Sequence, residues 1–379
     1  MKPLHGIRIA DFTVHNAGPF ATHLLSQLGA EIIKIESAMR PDAFRKPHPV
    51  YGREGPATFD QVSATKLSVR INLKKAEGVA LARRIVAVSD VAAESFRAGV
   101  LARLGLGYEA LREVKRDIVL LSVSSCGQEG PDSHFAGYAP LFGAWGGLSD
   151  LTGFADGPPV EMRHVMDHTS GMHAAVAVMA ALHRRRACGE GAHVDVAARE
   201  VASMLCGDAL LLAAAGGAPR RMGNAAEGLE PHGVYPCLGH ERWLSIAVRT
   251  DAERAALREI IGSGDLSDDA IARWTSTRDA NAAAALLQAA GIAAHASWTT
   301  PEIAADPHLR ARRAIVEVTE PDGSTRAAVG VPMRLSKGPE VGIHRGTPEL
   351  GQDEDYVYGE LLGLSRAGRS ALEAAEVIY

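Results

Sequence analysis

Asp167 lies among three histidines, His164, His168 and His173, in the segment HVMDHTSGMH. The i, i+4 spacing of His164 and His168 would place two imidazoles on one helical face, as metal sites do. The glutamate of an HExxH pair is missing, however, and no other ligand cluster converges in sequence, so a metal centre is not expected. Asp167 stands just ahead of a predicted helix over 169–186, rich in Ala and Met, and Asp is a favoured helix N-cap. Gly171 would let another backbone approach closely. By themselves these residues fit a capping carboxylate at least as well as a reactive one.

Other chemistries lack their residues. The sequence has no GxSxG elbow, no Walker sequence and no GxGxxG between a strand and a helix. GAWGG, residues 143–147, reads as close helix packing, and the basic run His183-Arg184-Arg185-Arg186 as a solvated helix end that complements the helix dipole. Cys126, Cys188, Cys206 and Cys237 form no CxxC pair, which suits reduced thiols. A net charge of −5 and a pI of about 6.3 argue against a nucleic-acid partner. MKPLHGIRIADF has no apolar h-region, and no uncharged apolar run approaches about 18 residues. The expectation is a cytoplasmic protein with no membrane partner.

The elements that must hold these residues follow an α/β pattern. Residues 7–12 read as a buried strand, Pro19 opens a helix with Phe20, Leu24, Leu25 and Leu28 on one face, and 31–36 as a second strand. Strand, helix and strand within about 30 residues argue for parallel strands. Further strands are predicted at 67–73, 117–125 and 193–197, with a helix over 78–88. The 379 residues and 46% hydrophobic content support more than one core. The expected fold class is α/β: a Rossmann-like large domain with a parallel sheet plus a smaller α+β domain. Its parts are 1–200 as the N-terminal part of the large domain, 201–232 as a linker, 233–316 as the small domain, and 317–379 as a linker and return.

The opening PLHGIRIADFTVHNAGPFATHLLSQLGAEIIKIE resembles that of class III CoA-transferases of the CaiB/BaiF type. The blocks SFRAGVLARLGLGYEAL, VLLSVSSCGQEGP, MDHTSGMHAAVAVMAALHRR, GEGAHVDVAARE and RMGNAA follow in the family's order and span nearly the whole chain. The resemblance implies CoA transfer from an acyl-CoA to a carboxylic acid, and two chains threaded into an interlocked dimer. It makes Asp167 the covalent nucleophile, passing through an aspartyl anhydride and then an enzyme–CoA thioester. A carboxylate suits both steps, being ionised at neutral pH and a good leaving group from an anhydride. Asn16 becomes a plausible oxyanion donor, with loop capping as its ordinary alternative, and His15 borders the thioester.

The CoA phosphates call for cations. Matched to the family's motifs, Arg97 and Arg103 are the best candidates, followed by Lys66 and Arg45, each of which could instead be an ordinary surface charge. Tyr138 is grouped with them, at a position where related racemases carry histidine. Coenzyme A enters as substrate, and no tightly bound cofactor is expected. Departures from the family pattern fall at Ser63 to Lys66, at Ala139, and at Gly351 to Asp355. They keep open an α-methylacyl-CoA racemase, which pairs an Asp with a His, and a non-catalytic subunit of a hetero-oligomer. A homodimer is the primary expectation, and the two acids are not identified.

Overall fold

The computed structural model describes residues 1–46, 57–162 and 164–379. Its contacts divide into two compact units, one of residues 1–148, 161–210 and 307–379, the other of residues 149–160 and 211–306.

The first unit holds six strands: β1 (Arg8–Asp11), β2 (Glu31–Glu36), β3 (Leu67–Arg70), β4 (Val91–Glu94), β5 (Val119–Ser124) and β6 (Ala192–Ala197). They form one sheet in the order β3-β2-β1-β4-β5-β6, with every pair parallel. Its helices are α1 (Ala17–Gln27), α2 (Ala57–Ser63), α3 (Ala76–Ala87), α4 (Val100–Arg103), α5 (Tyr108–Val114) and α6 (Ala139–Gly146). α7 (Leu148–Leu151) is a single turn at the boundary, α8 (Val165–Cys188) and α9 (Ala198–Met204) follow, and α10 (Gly207–Ala214) runs across the second boundary, between residues 210 and 211.

Alternating side chains of the strands feed two separate cores, as a pleated strand requires. Ala10, Ile33, Val69, Ala92 and Leu120 pack on one face with Leu81 and Ile85 of α3. Ile9, Ile32, Val91, Val119 and Leu121 pack on the other with Leu25 of α1 and Val178 and Leu182 of α8. The sheet is therefore covered on both faces, as parallel sheets require.

Strand β4 was not among the predicted elements, yet it lies beside β1 at the sheet's centre. Its four residues, VAAE, are all buried, so they show no alternation, and alanine is a weak strand former. After β3 the chain crosses back to β4, and the strand order reverses between β1 and β4. The crevice at the carboxyl ends of strands flanking such a reversal is where open α/β sheets bind ligands.

Two charge patterns differ from their expected roles. Arg185 is not solvated: it donates to Asp90 Oδ1 at 2.7 Å and lies 3.6 Å from Asp117, tying the end of α8 to the strands. Gly351 to Asp355 pack along edge strand β3: Ser68 N donates to Asp353 at 2.9 Å, and Arg70 Nε to Glu354 at 2.7 Å. Beneath that strap, the buried Tyr358 hydroxyl donates to Arg70 O at 2.6 Å.

The second unit is α+β. Strands β7 (His232–Pro236), β8 (Trp243–Ala247) and β9 (Ala293–Ala296) form an antiparallel sheet in that order, with helices α11 (Asp251–Ile261), α12 (Asp268–Thr275) and α13 (Ala280–Ala289). Leu244, Ile246, Leu257, Ile271 and Leu287 form its core. Thr250 and Glu253 make a reciprocal capping box that starts α11. The segment read as a linker, 201–232, contains the end of α9 and all of α10. A hairpin of β10 (Ile315–Thr319) and β11 (Thr325–Val329), unmarked in the sequence reading, belongs to the first unit.

Candidate active site

Asp11 ends β1 with its side chain fully buried, and it governs the loop that follows. Thr13 N donates to Asp11 Oδ1 at 2.9 Å, and Thr22 Oγ1 to Oδ2 at 2.8 Å. Lys66 Nζ donates to Asp11 Oδ2 at 3.0 Å, to Pro19 O at 3.0 Å and to Thr22 Oγ1 at 2.8 Å. Burial alone would raise the Asp11 carboxyl, but the charges of Lys66 and Lys34 outweigh it and hold it below the ordinary range. Lys34 Nζ in turn donates to Thr13 O at 2.9 Å. The chain from Thr13 to Pro19 is thus fixed from beneath by two buried ammonium groups.

This loop presents His15 and Asn16. His15 has φ +67°, and its ring stands edge-on to Tyr138 at 5.8 Å and to Phe44 at 6.0 Å. Asn16 Nδ2 donates to Asp167 Oδ2 at 3.4 Å and lies 3.4 Å from His164 Nδ1. His164 Nδ1 is 3.9 Å from Asp167 Oδ2. The structure therefore brings Asp167, Asn16, His15 and Tyr138 together and adds His164.

Asp167 is not the N-cap of α8. That position belongs to His164, and Asp167 sits within the first turn, at the positive end of a 24-residue helix. Gly171 explains how the carboxylate reaches Asn16. A Cβ there would lie 2.7 Å from Ala17 O and 2.9 Å from the Phe20 ring, so only glycine lets α8 lie this close to α1. Burial pushes the Asp167 carboxyl above its ordinary value of 3.8. The Asn16 hydrogen bond and the nearby His164 and His15 pull the other way.

The other sequence candidates divide into two pairs. Arg97 on the turn after β4 and Arg103 at the end of α4 are exposed, and neither side chain has a hydrogen-bond or ion-pair partner among the described residues. That turn is joined to the His15 loop, because Val14 N donates to Ser95 Oγ and Ser95 Oγ to Val14 O, both at 2.9 Å. Lys66 and Arg45 are instead engaged within the chain. Lys66 is fully buried and uses all three ammonium hydrogens on the partners named above. Arg45 grips Glu36 with Nε at 2.9 Å and Nη2 at 2.7 Å, donates Nη1 to Pro348 O at 3.0 Å, and stacks on Phe59 at 3.9 Å.

Sequence reasoning passed over a buried acid at the end of β4. Glu94 Oε2 accepts from Phe96 N at 2.7 Å and Oε1 from Gln128 Nε2 at 3.4 Å, while Gln128 Oε1 accepts from Gly99 N at 3.4 Å. Burial pushes the Glu94 carboxyl up to about 7, against the pull of Ser122 and the Phe96 amide. Glu94 immediately precedes the SFRAGV block, but only the fold shows that it braces the turn carrying Arg97. His164 was weighed only as a metal ligand, and no group of three or more metal-binding side chains occurs among the described residues.

Residues 4–354 match CoA-transferase family III. The chain belongs to that family. This CoA-transferase is 31% identical over 399 residues to the succinyl-CoA–D-citramalate CoA-transferase of Chloroflexus aurantiacus, covering 100% of this chain and 98% of the relative. It is 31% identical over 390 residues to the succinate–glutarate CoA-transferase of Agrobacterium fabrum, covering 96% and 97% of the two chains. The crystal structure of a CaiB/BaiF family protein from Brucella suis superposes with a TM-score of 0.85 at 27% identity, covering 95% of this CoA-transferase and 99% of that chain. The enzyme moves CoA between an acyl-CoA and a carboxylic acid. Among its described residues, no helix is long and apolar enough to cross a membrane.

Proposed function

We propose that Asp167 is the covalent nucleophile of this CoA-transferase, and the observation that carries the reading is its position. A desolvated carboxylate at a helix N-terminus faces the buried amide of Asn16, at the carboxyl-end crevice of a doubly wound sheet. Desolvation raises the energy of the ionised nucleophile and keeps water from an anhydride. Asp167 Oδ attacks the thioester carbonyl, and the CoA thiolate leaves. The thiolate then attacks the aspartyl carbonyl, giving the enzyme–CoA thioester and releasing the first acid. The acceptor acid collects CoA through a second anhydride. The Asn16 amide donates to the oxyanion that forms beside Asp167.

Arg97 on the turn after β4 and Arg103 at the end of α4, neither with a side-chain partner among the described residues, take the CoA phosphates. His15 and Tyr138 line the thioester end, and Lys66 and Arg45 shape the loops from within. Both named relatives act on small dicarboxylic acids, so succinyl-CoA is the first donor to test. No tightly bound cofactor takes part in this scheme, and the cytoplasm is the proposed compartment.

The enzyme acts as a homodimer in this reading, interlocked as the family resemblance implies. Helix α10 supports a covered surface: none of its residues is buried, although Leu210, Leu211 and Leu212 are 60%, 75% and 49% exposed. The racemase alternative lacks its second base: at the position where related racemases carry histidine this chain has Tyr138.

The test combines the enzyme with a panel of acyl-CoAs and hydroxylamine, followed by peptide mapping. Anhydrides and thioesters become stable hydroxamates. A hydroxamate on Asp167 that requires acyl-CoA supports the reading, and its absence with every acyl-CoA overturns it.

A further inference from the structure

His164 is unexplained by the scheme above. It adopts φ +59°, one of six described non-glycine residues with positive φ, and two of those six, His15 and His164, border the Asp167 carboxylate. Left-handed backbone is unfavourable for a bulky side chain, and such strain gathers at working sites. The backbone aims the imidazole inward: Nδ1 lies 3.4 Å from Asn16 Nδ2 and 3.9 Å from Asp167 Oδ2. The titratable groups around it are Asp167 and His168 of α8 and His15 of the β1–α1 loop, with Tyr138 beyond His15. His168 packs on Phe20 at 4.3 Å, and burial lowers its affinity for a proton.

We propose that His164 is a second catalytic group, which holds one proton at Nδ1 and passes it to and from the CoA sulfur. The inference rests on Asp167 as the nucleophile. The proposed cycle starts from the protonated imidazole beside the carboxylate, a neutral pair, with the Asn16 amide turned to the carboxylate. Asp167 Oδ bonds to the thioester carbon, the carbon–sulfur bond breaks with its electron pair on sulfur, and the Nδ1 proton moves to that sulfur. The site then holds a neutral anhydride, a thiol and a neutral imidazole. In the next step Nδ1 takes the proton back as sulfur attacks the aspartyl carbonyl, and the first acid leaves as its carboxylate with the electron pair of the broken carbon–oxygen bond. Protons and charge balance at each stage. The benefit is physical: a free thiolate beside a desolvated carboxyl site is unfavourable, and a proton held at Nδ1, 3.9 Å from the attacking Asp167 oxygen, neutralises it.

The test uses the full-length enzyme with succinyl-CoA and two variants. His164→Asn suits the left-handed backbone, and His164→Gly relieves its strain, so both are expected to fold. The expected result is a fall in kcat of about 100-fold or more in both, with KM for succinyl-CoA within about threefold. The wild-type dependence of kcat on pH between 5.5 and 8 should flatten in both variants. Wild-type kcat and pH profile in either variant would overturn the proposal. So would a fall in kcat that keeps the wild-type pH profile, which marks a merely structural role. The hydroxamate assay separates the two ideas. If wild type forms no adduct at Asp167, the nucleophile reading fails; if the adduct forms at the wild-type rate in His164→Asn, only the role of His164 fails.

Discussion

Replacing Gly171 with alanine tests whether the approach of α8 to α1 sets the reactive geometry. The new Cβ would sit 2.7 Å from Ala17 O, where ordinary contact begins at 3.4 Å, so the helices must part by about 0.7 Å. The obstructing atom is a backbone carbonyl in the first turn of α1 and cannot rotate away. Asn16 Nδ2 already reaches Asp167 Oδ2 at the limit of a hydrogen bond, 3.4 Å, and that separation would break it. Overpacking costs about 1–3 kcal/mol, and alanine returns about 1 kcal/mol of helix propensity, leaving a net loss of about 0–2 kcal/mol. Activity should suffer more. A hydrogen bond to a charged group is worth about 1.5–3 kcal/mol, or roughly 10- to 100-fold in rate. The assay is the initial rate of hydroxamate formation on Asp167 with succinyl-CoA, alongside denaturant unfolding. A variant that forms the adduct at the wild-type rate would refute the claim that close packing at Gly171 positions the nucleophile.

Arg97→Ala and Arg103→Ala should each raise KM for acyl-CoA by roughly 10-fold while leaving unfolding free energy within about 0.5 kcal/mol, because both side chains are exposed; an unchanged KM removes that arginine from the CoA site. Lys66→Met strips Asp11 of its hydrogen-bonded cation in a fully buried setting and should destabilise the protein by about 3–5 kcal/mol in urea titrations. A loss under 1 kcal/mol would contradict the structural role assigned to it. Glu94 binds its proton more tightly folded than unfolded, so its contribution is fully present below pH 4.5 and is lost as pH rises through about 7. Glu94→Gln should therefore flatten the decline of Tm over that window, and a parallel decline in both proteins would show that another group is responsible.

Much of the large unit could be read from residue patterns because its buried strands and amphipathic helices carry strong periodicity. IRIAD, EIIKIE and IVLLSVSS all fall where strands occur. β4 escaped because two alanines and a terminal glutamate give no periodic signal, and its identity as a strand comes from the partners on either side. The site shows the same division. Asp167 and Asn16 lie 151 residues apart, and only the family blocks joined them beforehand. Lys66 and Arg45 resemble ligand cations in a motif, but what an ammonium or guanidinium touches depends on tertiary neighbours such as Asp11 and Glu36. His164 was visible as a residue type; its role depends on a backbone angle that no composition or spacing reveals.

The strap beneath β3 has a consequence for how the protein is made. Tyr358 closes onto Arg70 across 288 residues of sequence, and Val357, Val377 and Ile378 complete the same core as Ile33 and Val69. Translation at about 5–20 residues per second leaves the part of that face over edge strand β3 without its C-terminal cover for about 15–60 s, although α3 already packs on the rest. During that interval the whole second unit emerges while the edge strand and its apolar face await their cover. Synthesis rate and chaperone supply, rather than final stability alone, then govern how much of the enzyme reaches its native state.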